Sequence, residues 1–373
     1  MSSPAPTPPP VPEPGDRRAA PTQPPFPLAR WALIAVAVAG AVAAFGYVGG
    51  WLDPQRLTPQ RLVDNLQTNG GLHPGYRRNH AKGVCVIGYF ESNGNAAKYS
   101  RAALFAPGRT PVVGRFALPG GNPHAPDFGV PIRSLALQLT QADGQQWRTG
   151  MNNMPVFPVA TPQAFYEQLQ AGKPDPATGK PDPAKQAAFF AAHPETGAFR
   201  AWAKDHKPSA SYATEDYYGL NAFYFTDSSG ARHAVRWRVV ADNGAATPTP
   251  ESQPKDYLDG ELSRRLALKA QRWRLLVTLA NPGDPTADAT RVWPSDRREI
   301  DAGSLVLEHS QPQDRSECRD INYDPLILPD GIAGSDDPLL SARSAAYAES
   351  YRRRTAEQAS GAAAQAQSQE SRP

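Results

Sequence analysis

Cysteine is scarce: Cys85 and Cys318 are the only two in 373 residues. With no C-x-x-C, no C-x-x-C-H and no zinc-type spacing, covalent c-type haem attachment and structural zinc are excluded. The spacing decides little else; the expectation is two buried free thiols, with a bridge left open to an oxidising compartment. Net charge is also small, since 39 Lys and Arg face 36 Asp and Glu for a formal +3. The basic residues form no long block with interleaved aromatics, so a nucleic-acid surface is set aside. No collagen-like period accompanies the 40 prolines, roughly twice the ordinary share; they cluster at the N-terminus and in loops, as punctuation.

What is present begins with a tail. Residues 1–30 are proline-rich with almost no large apolar side chain before Phe26, so they cannot bury enough surface to offset their ordering entropy and read as a disordered cytoplasmic segment. Residues 31–52 then carry no charge. As a helix this run is about 33 Å long, enough to cross a bilayer core. Trp31 and Trp51 flank it and Arg17, Arg18 and Arg30 precede it, which predicts an uncleaved anchor with its N-terminus inside and the rest exported. A cleaved signal peptide is the competing reading, through the small residues around Ala41 and Ala43.

The remainder, residues 53–358, reads as one folded domain, and 359–373 as a second disordered tail. A short amphipathic helix follows Pro59. Strands are predicted from residue 84 to 90, at Val112–Leu118 and at Leu135–Leu139, the last ending in the Asp143, Gly144 turn. Thr161 and Pro162 start a helix that Gly172 stops; Asp337 and Pro338 start another running to about Gln358. A second hairpin turns at Asp227–Gly230, a helix is expected over Leu258–Trp273, and a strand over Leu275–Leu279. Several short strands in succession argue for an antiparallel barrel with flanking helices, an α+β fold.

Three stretches carry the chemistry. The first is R-R-N-H-A-K-G-V-C-V-I-G-Y-F-E, Arg77 to Glu91, which puts His80 just before a strand. The second is G-M-N-N-M-P-V-F, Gly150 to Phe157, and the third is N-Y-D-P-L-I-L-P-D-G-I followed by R-S-A-A-Y, Arg343 to Tyr347. Taken singly, each has a bland explanation. A lone histidine is usually structural, an asparagine before proline usually bonds its own backbone, and an Arg and Tyr four apart on a helix usually sit on a surface.

Together, in this order and spacing, they resemble the haem catalases, and most of all the short catalase-related peroxidases. The resemblance runs loosely over residues 57–355. It implies an antiparallel barrel of the haem-catalase type holding haem b, with His80 as distal acid/base, Asn152 holding the peroxide and Tyr347 ligating iron as a phenolate. It further places Phe165 on the distal side, Arg343 beside the phenolate, and Arg77, Arg115 and Arg354 on the haem propionates. A guanidinium suits a carboxylate through paired hydrogen bonds.

The departures matter as much. Asn79 stands where full catalases have valine, Ala117 where they have a serine supporting the histidine, and V-P-I-R-S-L-A lacks their channel aspartate. The expected activity is therefore peroxidation of an external electron donor at the expense of hydrogen or organic peroxide. Dismutation of hydrogen peroxide is the alternative; a non-catalytic haem- or lipid-binding barrel, or an anchored protein docking through its proline-rich tail, are rivals of other classes. Oligomerisation is left open.

Overall fold

The structure, a computed structural model, describes residues 28–49, 56–242 and 253–370. Backbone contacts divide the chain into Met1–Arg56 and Leu57–Pro373. In the first unit helix α1, Leu28–Val48, contains one stretch, Ala29–Val48, long and apolar enough to cross a membrane. It begins three residues before the expected span. Trp51, Leu52, Arg17, Arg18 and the tail up to residue 27 lie outside the described residues.

The second unit is built on strands β1 (Gly83–Ser92), β2 (Gly108–Ala117), β3 (Ser134–Thr140), β4 (Gln146–Asn152), β5 (Tyr217–Tyr218), β6 (Phe223–Thr226), β7 (Arg232–Ala241), β8 (Gln271–Leu279), β9 (Glu299–Pro312) and β10 (Ile332–Gly334). Eight of them close an antiparallel barrel in the order β7-β5-β4-β3-β2-β1-β9-β8, with β8 returning to β7; β6 and β10 extend it beside β7. Side chains alternate across each strand. On β4, Trp147, Thr149 and Met151 are buried inside, whereas Gln146, Arg148, Gly150 and Asn152 take the other face. The interior is packed with aromatics, and two of its buried indole N–H groups find acceptors while that of Trp147 has none: Trp237 Nε1 donates to Thr149 Oγ1 at 3.0 Å and Trp273 Nε1 to the Glu215 carbonyl at 3.0 Å.

Helices cover the outer wall: α2 (Pro59–Gly70), α3 (Pro162–Ala171), α4 (Pro183–Ala192), α5 (Gly197–Asp205), α6 (Leu258–Leu268) and α7 (Pro338–Glu370). Two start as the sequence predicts, with a polar cap followed by proline: Thr161 Oγ1 accepts from Ala164 N–H at 3.1 Å and Asp337 Oδ1 from Leu339 N–H at 2.9 Å. The same device starts α2 and α4, where Thr58 Oγ1 accepts from Arg61 N–H at 3.2 Å and Asp182 Oδ1 from Ala184 N–H at 2.8 Å. Satisfying orphan amides in this way fixes where each helix begins.

Four expectations are corrected. The helix expected over Leu258–Trp273 ends at Leu268, because Gln271–Leu275 alternates with period two and pairs in β8, burying Trp273 in the barrel. Strand β9, absent from the sequence reading, pairs with both β1 and β8. Helix α7 continues to Glu370 rather than ending near Gln358, in keeping with the strong helix formers Ala, Gln and Glu in that stretch. Finally, Cys85 and Cys318 are joined in a disulfide with their Cα atoms 5.7 Å apart, not held as free thiols. Residue 85 faces outward on β1, and the short turn Glu317–Arg319 lies over it.

Candidate active site

The outer faces of β2, β3 and β4 bound a cavity of about 340 Å3 that α2, α3 and α7 close. Its strand wall is made by residues two apart, as the pleat requires: Arg115 and Ala117, Ser134 and Ala136, Gly150 and Asn152. Helix α7 contributes Arg343, Tyr347 and Arg354, which share one helical face. Helix α3 adds Phe165, whose ring meets that of Phe157 at 5.7 Å. The loop before β1 adds Arg77 and His80. All eight residues singled out in the sequence thus line one cavity.

His80 sits at φ 56°, a left-handed conformation that a histidine rarely adopts. Asn79 holds the turn: its Oδ1 accepts from the His80 N–H at 3.0 Å and from the Gly120 N–H at 2.7 Å. The valine that full catalases place here could not do this. Burial, then the guanidinium groups of Arg115, Arg343 and Arg77, push the His80 imidazolium down to about 3, outweighing the Leu118 carbonyl that favours protonation. The ring is therefore neutral at ordinary pH. Its Nδ1 is buried without a hydrogen bond of normal geometry, and the last residue of β2, Ala117, brings no polar atom to the cavity wall.

Across the cavity wall, Asn152 is fixed by its strand neighbour. Ser134 is its register partner on β3, and Ser134 Oγ donates to Asn152 Oδ1 at 2.6 Å. With that oxygen engaged, the amide N–H2 is the side chain's remaining polar group. Two residues back, a Cβ at Gly150 would lie 3.2 Å from Arg343 Nη2 and 3.5 Å from Tyr347 Oη. The missing side chain is what lets the phenol and the guanidinium reach the barrel wall. Arg343 is held there by donating to Asn221 Oδ1 and to the Gly150 carbonyl, and Asn221 Nδ2 donates to Asp337 Oδ2 at 2.7 Å.

Three more arginines crowd the same cavity. Arg77 Nη2 donates to the carbonyls of Cys318 and Ile321, each at 2.9 Å; Arg354 donates to those of Arg319 and Ile321; Arg115 donates to Gln313 Oε1 and the Ala81 carbonyl. Burial, with repulsion from Arg115, lowers Arg77 to about 9. Burial likewise lowers Arg115 and Arg354 to about 10, with a neighbouring arginine adding to the effect in each. Among the described residues Arg77 and Arg115 form no ion pair, and Arg354 reaches only Asp320 at 3.7 Å. This cluster of buried positive charge beside an apolar slot suits a flat group bearing carboxylates.

Sequence reasoning missed Ser134, Asn221 and Tyr323. The first was within reach: a hairpin turning at Asp143 and Gly144 puts residue 134 opposite 152. Tyr323 stands in the third stretch, N-Y-D-P, but was given no role there, and Asn221 comes to the site only through the folded topology and carried no local signal. Where the channel aspartate of full catalases is lacking, Arg133 is wholly buried and donates to the carbonyls of Val130 and Ser209.

The model of the Catalase family matches residues 56–362, and the chain belongs to that family, an oxidoreductase superfamily that acts on peroxide. Among its relatives, it is 40% identical over 329 residues to a catalase-related peroxidase of Synechococcus elongatus, covering 87% of this chain and 96% of that one. It is 29% identical over 303 residues to a catalase-related peroxidase of Mycolicibacterium paratuberculosis, covering 80% and 95%. Among solved structures, a fungal catalase superposes with a TM-score of 0.69 at 21% identity, and catalase A from Saccharomyces cerevisiae with 0.68 at 23%. These cover 79% and 81% of this chain but only 62% and 65% of those longer proteins.

Proposed function

We propose that this chain is a membrane-anchored haem peroxidase that reduces hydrogen peroxide or organic peroxides with electrons from an external donor. The observation that supports it best is the meeting of His80, Asn152 and Tyr347, with four arginines and Phe165, on one cavity. Haem b would lie between the distal and proximal groups, its carboxylates on Arg77, Arg115 and Arg354 and its iron on Tyr347. Gly150 and Asn152 are two strand residues apart, roughly 7 Å, which matches the contact thickness of one planar ring, about 3.5 Å on each side.

Bound there, haem would supply the redox-active iron for peroxide reduction. The protein's part is proton transfer and orientation. Neutral His80 accepts the peroxide's proton and returns it to the departing oxygen, so that a hydroperoxide, two donor electrons and two protons give an alcohol or water plus water. Asn152, with its oxygen held by Ser134, offers N–H to the peroxide. Arg343 Nη2 and Tyr347 Oη both face Gly150, so a guanidinium would stand beside the ligating oxygen.

Peroxidation rather than dismutation follows from Ala117 and from V-P-I-R-S-L-A, which remove polar help for a second hydrogen peroxide. The apolar helix Ala29–Val48 serves as the anchor, and the Cys85–Cys318 disulfide suits a catalytic domain on the oxidising side of the membrane. The test is to load the full chain with haem in detergent and measure donor oxidation beside oxygen evolution. Wild type should oxidise donor faster than it evolves oxygen, and His80→Ala should lose at least roughly a hundredfold of donor oxidation. Unchanged turnover in His80→Ala would reject the assignment.

A further inference from the structure

The disulfide lies against the site from behind. Cys85 and Cys318 are both buried and cluster with Tyr323, Ile321, Val113, Ala136 and Tyr347. The stretch Cys318–Ile321, tied to β1 by that bond, is also what holds two of the arginines. Its carbonyls take both hydrogen bonds of Arg77 and two from Arg354, and the Arg77 guanidinium lies 5.9 Å from the Tyr323 ring centroid. Arg77 comes from the loop before β1 and Arg354 from α7, so a single four-residue segment sets the separation and tilt of both guanidinium groups. Between Pro312, where β9 leaves its ladder with β1, and Ile321 the chain has only short turns, Gln313–Arg315 and Glu317–Arg319, and no strand pairing.

We propose that the Cys85–Cys318 disulfide is a positioning element for the carboxylate-binding arginines, and that tight haem uptake depends on it. This rests on the reading of the cavity as a haem site. The reason is geometric. Each arginine spends some of its N–H groups on these carbonyls and keeps others for a carboxylate, so the carbonyls decide where the remaining donors point. Without the covalent tie, Cys318–Ile321 can move off β1, and the donors spread over many directions before a ligand meets them. The bond thus acts on the rim of the pocket that receives charge; the two cavity-lining residues it also touches, Ala136 and Tyr347, are held independently by β3 and α7.

The test titrates the full apo chain in detergent with haem b and, separately, with haem b dimethyl ester, which keeps the ring and iron but has no free carboxylate. Oxidised wild type is compared with C85S/C318S, and with wild type reduced by dithiothreitol, which delivers two electrons and two protons to the pair and becomes its cyclic disulfide. Affinity is read from the Soret band, and far-ultraviolet circular dichroism checks the fold. Loss of the bond should weaken haem binding roughly tenfold or more, the scale of outer-shell support, while changing ester binding less than about twofold. In an R77A/R354A background the same loss should shrink to under about twofold.

Equal weakening of haem and ester would mean a merely structural bond and overturn the inference, as would no change in either. If C85S/C318S does not fold, the reduced wild type carries the comparison. Failure of oxidised wild type to take up haem at all would instead overturn the haem reading itself, and this inference with it.

Discussion

On strand β4 the residues facing inward, Trp147, Thr149 and Met151, are buried in the barrel, while Gly150 and Asn152, facing outward, line the cavity beneath α7. The interior is filled by large rings, with Trp147 and Trp237 centroids 5.0 Å apart and Phe223 and Trp237 4.3 Å apart. The outer wall instead carries small residues, amides and buried arginines. The inner face supplies the stability that lets the outer one keep unfavourable features: a left-handed histidine, guanidinium groups with depressed pKa values and a buried imidazole nitrogen without a good partner.

Substitutions on the two faces should therefore separate stability from ligand binding. Inside, Trp273→Ala should cost about 3–5 kcal/mol in chemical unfolding, and folded material should still take up haem. Outside, Gly150→Val should cost less in unfolding, no more than about 1–3 kcal/mol. Its side chain would press on Arg343 and Tyr347, and overpacking of about 1–3 kcal/mol should weaken haem affinity roughly ten- to a hundredfold in a Soret titration. Large stability loss in Gly150→Val with unchanged affinity would dissolve the distinction.

His80 gives an effect of the second rank. An ordinary histidine titrates near ~6.5, while burial and then Arg115, Arg343 and Arg77 take this one to about 3. Between those values the unfolded chain binds a proton that the folded apo chain refuses. Its stabilising contribution is complete above the unfolded value and drains as pH falls toward the folded one, by at most about 1.4 kcal/mol per pH unit. Urea unfolding of the apo chain across that range should show the slope, and His80→Gln should flatten it. Smaller still, Ser134→Ala should cost roughly 1 kcal/mol of transition-state stabilisation, read as a fall of about fivefold in donor oxidation with unfolding nearly unchanged.

The inner and outer faces also differed in how far the sequence revealed them. Helix starts were legible because Thr161 and Pro162, and Asp337 and Pro338, are local signals that need no tertiary context. Hairpin turns at Asp143, Gly144 and at Asp227–Gly230 were legible for the same reason. Strand β9 was passed over although Ile300, Ala302 and Leu305 are buried along it, because the proline- and charge-rich stretch ahead of it masks its start, and Gly303 breaks its alternation with a bulge. Trp273 was assigned to a helix because charged residues of α6 run on to it without a breaker.

The site was legible only through resemblance. His80, Asn152 and Tyr347 come from three distant segments, and no composition or periodicity brings them to one cavity. The disulfide was missed because a separation of 233 residues says nothing about proximity until β1 and the Glu317–Arg319 turn are placed. Support from Ser134 followed from hairpin register alone, and from Asn221 only from the closed barrel.

The most direct test of the account is the optical spectrum of the haem-loaded full chain beside that of Tyr347→Phe. Phenolate ligation requires tyrosinate-type haem absorbance in the wild type and its loss in Tyr347→Phe, with circular dichroism unchanged; identical spectra would contradict it.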